Sequence, residues 1–159
     1  MSKLKLLCLF SVFMLKVSFS QELVTTKHDS TDIKLNWMPF YEDALKKSKK
    51  EKKPVLIYFT GSDWCGPCKV LDEKLFHTEK FKSLSDNDLV LLEVDIPRNQ
   101  DILTQDKISE NLYLQKKYKV KSFPALIFVN HKGRKISEKR GYVMTEYYYP
   151  YIQSVIYNY

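Results

Sequence analysis

The chain carries one cysteine pair in a distinctive setting: Trp64-Cys65-Gly66-Pro67-Cys68-Lys69. An apolar run over 54–59 comes before the pair and predicts a buried strand, and apolar spacing over 70–76 predicts a helix. The cysteines therefore lie where a strand turns into a helix. The partial positive charge at a helix N-terminus favours a thiolate, and cysteines at i and i+3 lie close enough for a disulfide. Pro67 costs little there, because the N–H that it lacks would have had no helical partner.

A zinc half-site and a purely structural disulfide are the two other interpretations of this pair. Zinc normally takes four ligands, whereas the chain has no second cysteine pair and its histidines, His28, His77 and His131, are scattered. The third cysteine, Cys8, lies in the N-terminal leader. If this leader is removed on export, the mature protein has no thiols besides this pair. That composition fits a redox role better than a scaffold held together by structural disulfides. We therefore expect no metal and no other cofactor.

The motif together with its strand–helix context resembles the active site of the thioredoxin family, and the resemblance extends over about 37–159. The segment before the motif resembles exported thioredoxin-like proteins of bacteria. The resemblance implies an α/β thioredoxin fold, with a central mixed β-sheet and helices on both faces. It also implies that Cys65 is the attacking nucleophile and Cys68 the resolving cysteine, and that the two form a redox-active disulfide.

The resemblance also implies supporting roles for neighbours of the pair: Trp64, Gly66, Pro67, Phe123 and Pro124. In the family, the proline that opens the third core strand is cis and faces the dithiol, and Phe123-Pro124 matches that position. Simple thioredoxins have a smaller aliphatic residue where this chain has Phe123, which leaves substrate preference open. Trp64 is expected to shield the sulfurs and to offer a partner an apolar contact.

One departure from the family concerns the proton of the second cysteine. Simple thioredoxins carry a buried acid on the strand before the motif, but here that strand has no acid and Tyr58 is expected at the position. Asp63 is expected to be too exposed to replace the acid. Glu93, on the next predicted strand, is the remaining candidate.

The N-terminus has the pattern of a secretory signal peptide over 1–20, with Lys3 and Lys5 before an apolar stretch. We expect a lead-in over 21–35 and a thioredoxin-like domain over 36–159, in an exported protein that is periplasmic or secreted. An uncleaved N-terminal anchor is the alternative. Removing 1–20 leaves 23 basic and 19 acidic residues, and this net charge of +4 does not favour nucleic acid as a partner.

Periodicity predicts the remaining elements. Strands are predicted at 55–59, 89–95, 125–129 and 135–140, and helices at 37–50 (capped by Asn36), 66–75, 110–118 and 145–157. Asp86-Asn87-Asp88 is predicted to form a turn, and Gly61 to adopt angles that other residues avoid. The polar segment 97–111 is predicted to be an irregular insertion, which either contacts a partner or is filler. The tyrosine-rich tail, 142–159, is either a contact surface or a helix packed on the sheet.

These patterns together predict a thiol-disulfide oxidoreductase that reduces protein disulfides in the periplasm. It would act as a monomer, without stable membrane insertion, and would receive electrons from a membrane donor. Disulfide formation or isomerisation is the enzymatic alternative, because the motif does not set the direction. A non-catalytic, redox-responsive adaptor is the alternative from another class.

Overall fold

Five strands form one mixed sheet in the computed structural model, which describes residues 33–159. The strands are β1 (Trp37–Met38), β2 (Val55–Thr60), β3 (Val90–Asp95), β4 (Ala125–Val129) and β5 (Lys135–Arg140). Their order across the sheet is β1-β3-β2-β4-β5. β3 is parallel to both β1 and β2, and β4 is antiparallel to both β2 and β5. The predicted signal peptide and most of the predicted lead-in lie outside the described residues.

Five α-helices cover the sheet within residues 33–159. They are α1 (Tyr41–Glu51), α2 (Gly66–Leu71), α3 (Glu79–Asp88), α4 (Gln105–Lys117) and α5 (Tyr148–Tyr157). A π-helical turn, Asp72–Phe76, continues α2, and short 3-10 turns occur at Gln100–Ile102 and Thr145–Tyr147. Within the part of the chain that the structure describes, no helix has the length and apolar character needed to cross a membrane.

The two faces of the sheet support separate hydrophobic cores. One face packs against α1 and α4, and its buried residues include Ala44 and Leu114. The other face packs against α2, α3 and α5, and includes Leu71 and Phe81. All six residues of β2 are buried, as a strand covered on both faces requires. The predicted fold class is confirmed, and the C-terminal segment is a helix packed on the sheet.

The predicted helix over 37–50 is wrong at its start. Trp37 and Met38 are paired with β3, and α1 begins at Tyr41. Pro39 accounts for the difference, because a proline disfavours helical backbone angles at the residue before it. Asn36 is not the helix cap, and its side-chain amide donates instead to the carboxylate of Asp86 at 2.9 Å.

The helix predicted over 110–118 begins earlier, at Gln105. Thr104 caps it, since its hydroxyl oxygen accepts a hydrogen bond from the backbone N–H of Lys107 at 3.3 Å. Its inward face includes Asn111, a polar residue that interrupts the apolar spacing, whereas Leu112 is exposed. The predicted insertion over 97–111 is therefore non-α-helical only as far as Thr104.

Two local predictions around α3 also differ from the structure. The segment 86–88 was predicted to be a turn, but α3 continues through Asp88. The helix predicted over 66–75 changes to π-helical hydrogen bonding after Leu71. Thr78 caps α3, since its hydroxyl oxygen accepts from the N–H of Phe81 at 3.2 Å.

Candidate active site

The cysteine pair lies at the N-terminus of α2. Cys65 is the N-cap residue, and its sulfur forms a disulfide with Cys68. The Sγ atom of Cys65 also accepts the backbone N–H of Cys68, at 3.3 Å. Both cysteines are buried, with 3% of Cys65 and 1% of Cys68 exposed. When the pair is reduced, the same N–H and the helix dipole favour a thiolate at Cys65.

Pro124 comes directly before Ala125, the first residue of β4. The peptide bond between Phe123 and Pro124 is cis. Ala125 pairs with Phe59 near the end of β2, so the start of β4 lies beside the strand from which the cysteine loop emerges. The carbonyl of Pro124 accepts the N–H of Gly141 at 2.8 Å, which joins it to the end of β5.

The other supporting residues lie around the pair. The rings of Trp64 and Phe123 are half-buried and meet edge to face, with centroids 5.4 Å apart. Gly66 and Pro67 are exposed in the first turn of α2. The structure thus brings the two predicted aromatic residues into contact, and Trp64 directly precedes Cys65. Among residues 33–159, no three His, Cys, Asp or Glu side chains are grouped as metal ligands.

Asp95 fixes the loop that precedes the cysteines. It lies at the end of β3, and its carboxylate accepts the backbone N–H of Ser62 at 2.8 Å as well as the Ser62 hydroxyl. The backbone N–H of Cys65 then donates to the carbonyl of Gly61 at 2.7 Å. Sequence reasoning missed Asp95, although an acid at the carboxyl end of a strand next to the motif strand was a signal for it.

Asp63 connects the cysteine loop to the segment after β3. Its carboxylate accepts the backbone N–H groups of Asn99 at 2.8 Å and Arg98 at 3.0 Å. These hydrogen bonds hold the pKa of Asp63 below its usual value, and the bond from Asn99 has the largest effect. The indole N–H of Trp64 donates to the carbonyl of Ile96 at 2.8 Å, and the Arg98 guanidinium lies 5.3 Å from the centre of the Trp64 ring. The sequence did not predict any of these contacts.

The position of Gly61 has no room for a side chain, because the Trp64 indole lies against it. A Cβ atom at this position would lie 2.7 Å from Cζ2 of Trp64 and closer still to other atoms of the indole. Its φ lies outside the left-handed region, so the predicted reason, unusual backbone angles, is wrong. The missing side chain lets the Trp64 ring pack directly on the loop backbone.

Ionisable groups lie beneath α2, on the same face of the sheet as the cysteines. Tyr58 lies on β2, and its hydroxyl donates to the carbonyl of Cys68 at 3.2 Å. Glu93 is paired in register with Tyr58. Burial, together with the charges of Asp72 and Asp95, raises the pKa of Glu93 to about 7. Burial also raises the pKa of Asp72, a residue that sequence reasoning did not single out.

Comparison with known proteins gives relatives along most of the domain. Residues 41–156 match the family model described as a thioredoxin-like domain. The chain is 33% identical over 97 residues to the disulfide bond reductase DsbH of Chlamydia pneumoniae, an alignment that covers 61% of this chain and 58% of that protein. It is 29% identical over 133 residues to the thioredoxin-related protein DsbJ of the same organism, covering 84% and 37% respectively. The chain thus spans less than two thirds of the length of either relative.

Solved structures are similar over the same region. A DsbH oxidoreductase superposes with a TM-score of 0.71 at 28% identity, covering 86% of this chain and 93% of that one. A thioredoxin from Thermus thermophilus superposes with a TM-score of 0.60 at 17% identity, covering 77% and 88%, and shows the fold alone. Since the family model spans most of the domain that the structure describes, this chain belongs to the family of thioredoxin-like domains.

Proposed function

We propose that this protein is a thiol-disulfide oxidoreductase that acts on protein disulfides through Cys65 and Cys68. The observation that carries the proposal is the Cys65–Cys68 disulfide at the N-terminus of α2. The similarity to a protein named disulfide bond reductase supports it.

In the proposed reaction, the Cys65 thiolate attacks one sulfur of the substrate disulfide. A mixed disulfide forms with Cys65, and the other substrate sulfur leaves as a thiolate. The Cys68 thiolate then attacks the Cys65 sulfur, which releases the second substrate thiolate and closes the Cys65–Cys68 disulfide. The protein is oxidised by two electrons, the substrate is reduced by two, and the substrate thiolates take up protons according to their pKa values.

The surrounding residues supply the conditions for these steps. The N–H of Cys68 and the start of α2 stabilise a thiolate on Cys65. Pro124 places no N–H beside the sulfurs, and the rings of Trp64 and Phe123 offer an apolar contact to a bound segment. We assign the proton of Cys68 to Glu93, whose raised pKa allows it to accept and release a proton near neutral pH.

The proposal includes a direction and a place of action. After removal of a signal peptide over 1–20, a short lead-in over 21–35 and a domain over 36–159 would act in the periplasm as a monomeric reductant. A membrane protein would supply the electrons, because that compartment oxidises free thiols. The relative named a disulfide bond reductase supports this direction.

The reduction potential of the Cys65–Cys68 pair, measured against glutathione or dithiothreitol, tests the direction. A value of about −270 mV is expected for a reductant, and a value of about −120 mV would make the protein an oxidant. A Cys68→Ser variant should trap mixed disulfides with substrates, and Cys65→Ser, as the matched control, should trap none. Full biological activity of Cys65→Ser would instead favour a non-catalytic adaptor.

A further inference from the structure

We propose that the dithiol rim selects partner segments that carry acidic side chains next to their disulfide cysteine, and that Arg98 is the specificity-determining residue. The dithiol rim consists of residues 61–70, 96–99 and 119–124. This inference rests on the proposed oxidoreductase function and names the chemistry of the partner that the site accepts.

Arg98 has a defined position on the rim. Its backbone N–H is held by the Asp63 carboxylate at 3.0 Å, and its guanidinium lies over the Trp64 ring at 5.3 Å. The Trp64 ring is itself fixed by its hydrogen bond to Ile96 and by its contact with Phe123. Arg98 therefore stands beside the aromatic pair that a segment approaching Cys65 would meet.

The charge of Arg98 is available to a partner. In the described chain, residues 33–159, its guanidinium takes part in no ion pair, and the residue is exposed. Asp63 is the single acid within the dithiol rim, where its carboxylate accepts two backbone N–H groups, and Asp95, just outside the rim, binds Ser62. The basic residues of the rim outnumber these two acids: Lys69, Arg98, Lys119 and Lys121. The dithiol rim therefore has a net positive charge, which repels basic segments and attracts acidic ones.

The type of partner follows from this arrangement. An extended segment bound against Trp64 and Phe123 with its cysteine at Cys65 places its neighbouring side chains close to Arg98. A guanidinium that lies over an aromatic ring keeps its N–H groups free to pair with a carboxylate through two parallel hydrogen bonds. Charges at the rim of an interface act mainly on encounter and on the choice of partner. We therefore expect Arg98 to affect the choice of substrate more than the chemistry at Cys65.

Three model substrates test the inference. They are disulfide-linked peptide pairs that are identical except for the residues flanking the cysteine, which are Asp, Gln or Lys. The second-order rate constant for reduction by the reduced full-length protein is measured at low ionic strength. The acidic peptide should react about fivefold faster than the basic one, as an exposed charge pair allows, and added salt should narrow the ratio.

Variants assign the preference to Arg98. In Arg98→Glu the acidic-to-basic ratio should fall at least about threefold. The matched control is Lys132→Glu, an exposed charge reversal in the 130–133 turn, at the opposite end of β4 from Pro124. It should keep the wild-type ratio.

Two results would overturn the inference while leaving the proposed function intact. One is a wild-type ratio near one. The other is an equal slowing of all three peptides in Arg98→Glu, which would mean that Arg98 acts through Trp64 or Cys65. Failure of the reduced wild-type protein to reduce even the Gln peptide would overturn the oxidoreductase function itself, and this inference with it.

Discussion

Glu93 makes the stability of the domain depend on pH. Burial, followed by the charges of Asp72 and Asp95, raises its pKa from 4.5 to about 7. Between these values the folded protein binds more protons at this site than the unfolded chain does, so the free energy of unfolding falls as pH rises. Above pH 7, the resulting loss in the free energy of unfolding is at most about 3 kcal/mol. Urea denaturation of Glu93→Gln at several pH values should show that this decline is lost.

Glu138→Gln is the matched control for that experiment. Hydrogen bonds to Arg140 and Lys135 lower the pKa of Glu138. The stability that this carboxylate contributes is therefore lost only as pH falls below the ordinary glutamate range. This variant should keep the decline between pH 4.5 and about 7. If both variants kept it, another group would be the source.

Gly61 gives a second test on the scale of one residue. In Gly61→Ala, the added methyl group meets the Trp64 indole and should force the ring away from its hydrogen bond with Ile96. We expect a loss of about 1–3 kcal/mol in the free energy of unfolding, together with a changed tryptophan emission spectrum. Gly66→Ala is the control, because nothing lies within 4 Å of a Cβ at Gly66. Equal losses in both variants would contradict the steric explanation.

At the scale of elements, Asp63 holds the start of the connection between β3 and α4. Asp63→Asn removes the charge that strengthens the hydrogen bonds from the N–H groups of Arg98 and Asn99. Amide hydrogen exchange at these two residues should become about tenfold faster, because bonds to a charged acceptor are stronger than neutral ones. Asp86→Asn, an exposed acid paired with Lys82, should leave their exchange unchanged.

If Asp63→Asn left the exchange at 98–99 as it is in the wild type, the segment would be held mainly by the hydrogen bond between Trp64 and Ile96. A Trp64→Phe variant, which lacks the indole N–H, would then show the faster exchange.

The predictable elements are those whose signal lies in neighbouring residues. β4 and β5 were predicted with the bounds that the structure has, because an apolar run and the turn at 130–133 define them locally. β1 depends on pairing with β3, whose residues lie more than fifty positions away, and the helical spacing of Trp37 and Tyr41 was misleading. The start of α4 was missed because buried Asn111 breaks the apolar pattern.

The same distinction applies to the site. The cysteines and Pro124 belong to local motifs, so the sequence pointed to them, and their roles remain predictions. The contacts that hold the loop, from Asp95 to Ser62 and from Asp63 to Arg98, join residues 33 and 35 positions apart. Only the folded sheet brings these partners together, so no local pattern predicts them.

At the scale of the whole molecule, the two cores should differ in their effect on the redox site. Leu92 is buried on the face with α1 and α4, and Leu71, the last residue of α2, is buried on the other face. Either leucine replaced by alanine should cost about 2–5 kcal/mol in the free energy of unfolding. Leu71→Ala also loosens the helix that holds the two sulfurs close, so its reduction potential should become less negative by on the order of 10–30 mV.

Leu92→Ala is the control for this difference, since it lies on the other side of the sheet from the cysteines. Denaturation and glutathione equilibration of both variants make the comparison. Equal shifts in potential would mean that the redox pair responds to overall stability, and not to the packing under α2.

The two edges of the sheet bear on how the protein behaves in concentrated solution. β1 is only two residues long, which is too short to template a strand from another molecule. β5 is longer, but it carries Lys135, Glu138, Lys139 and Arg140. Charged side chains along an edge strand oppose pairing between copies. The same outer strands that complete the fold therefore also discourage fibrous self-association, a hazard that every open sheet carries.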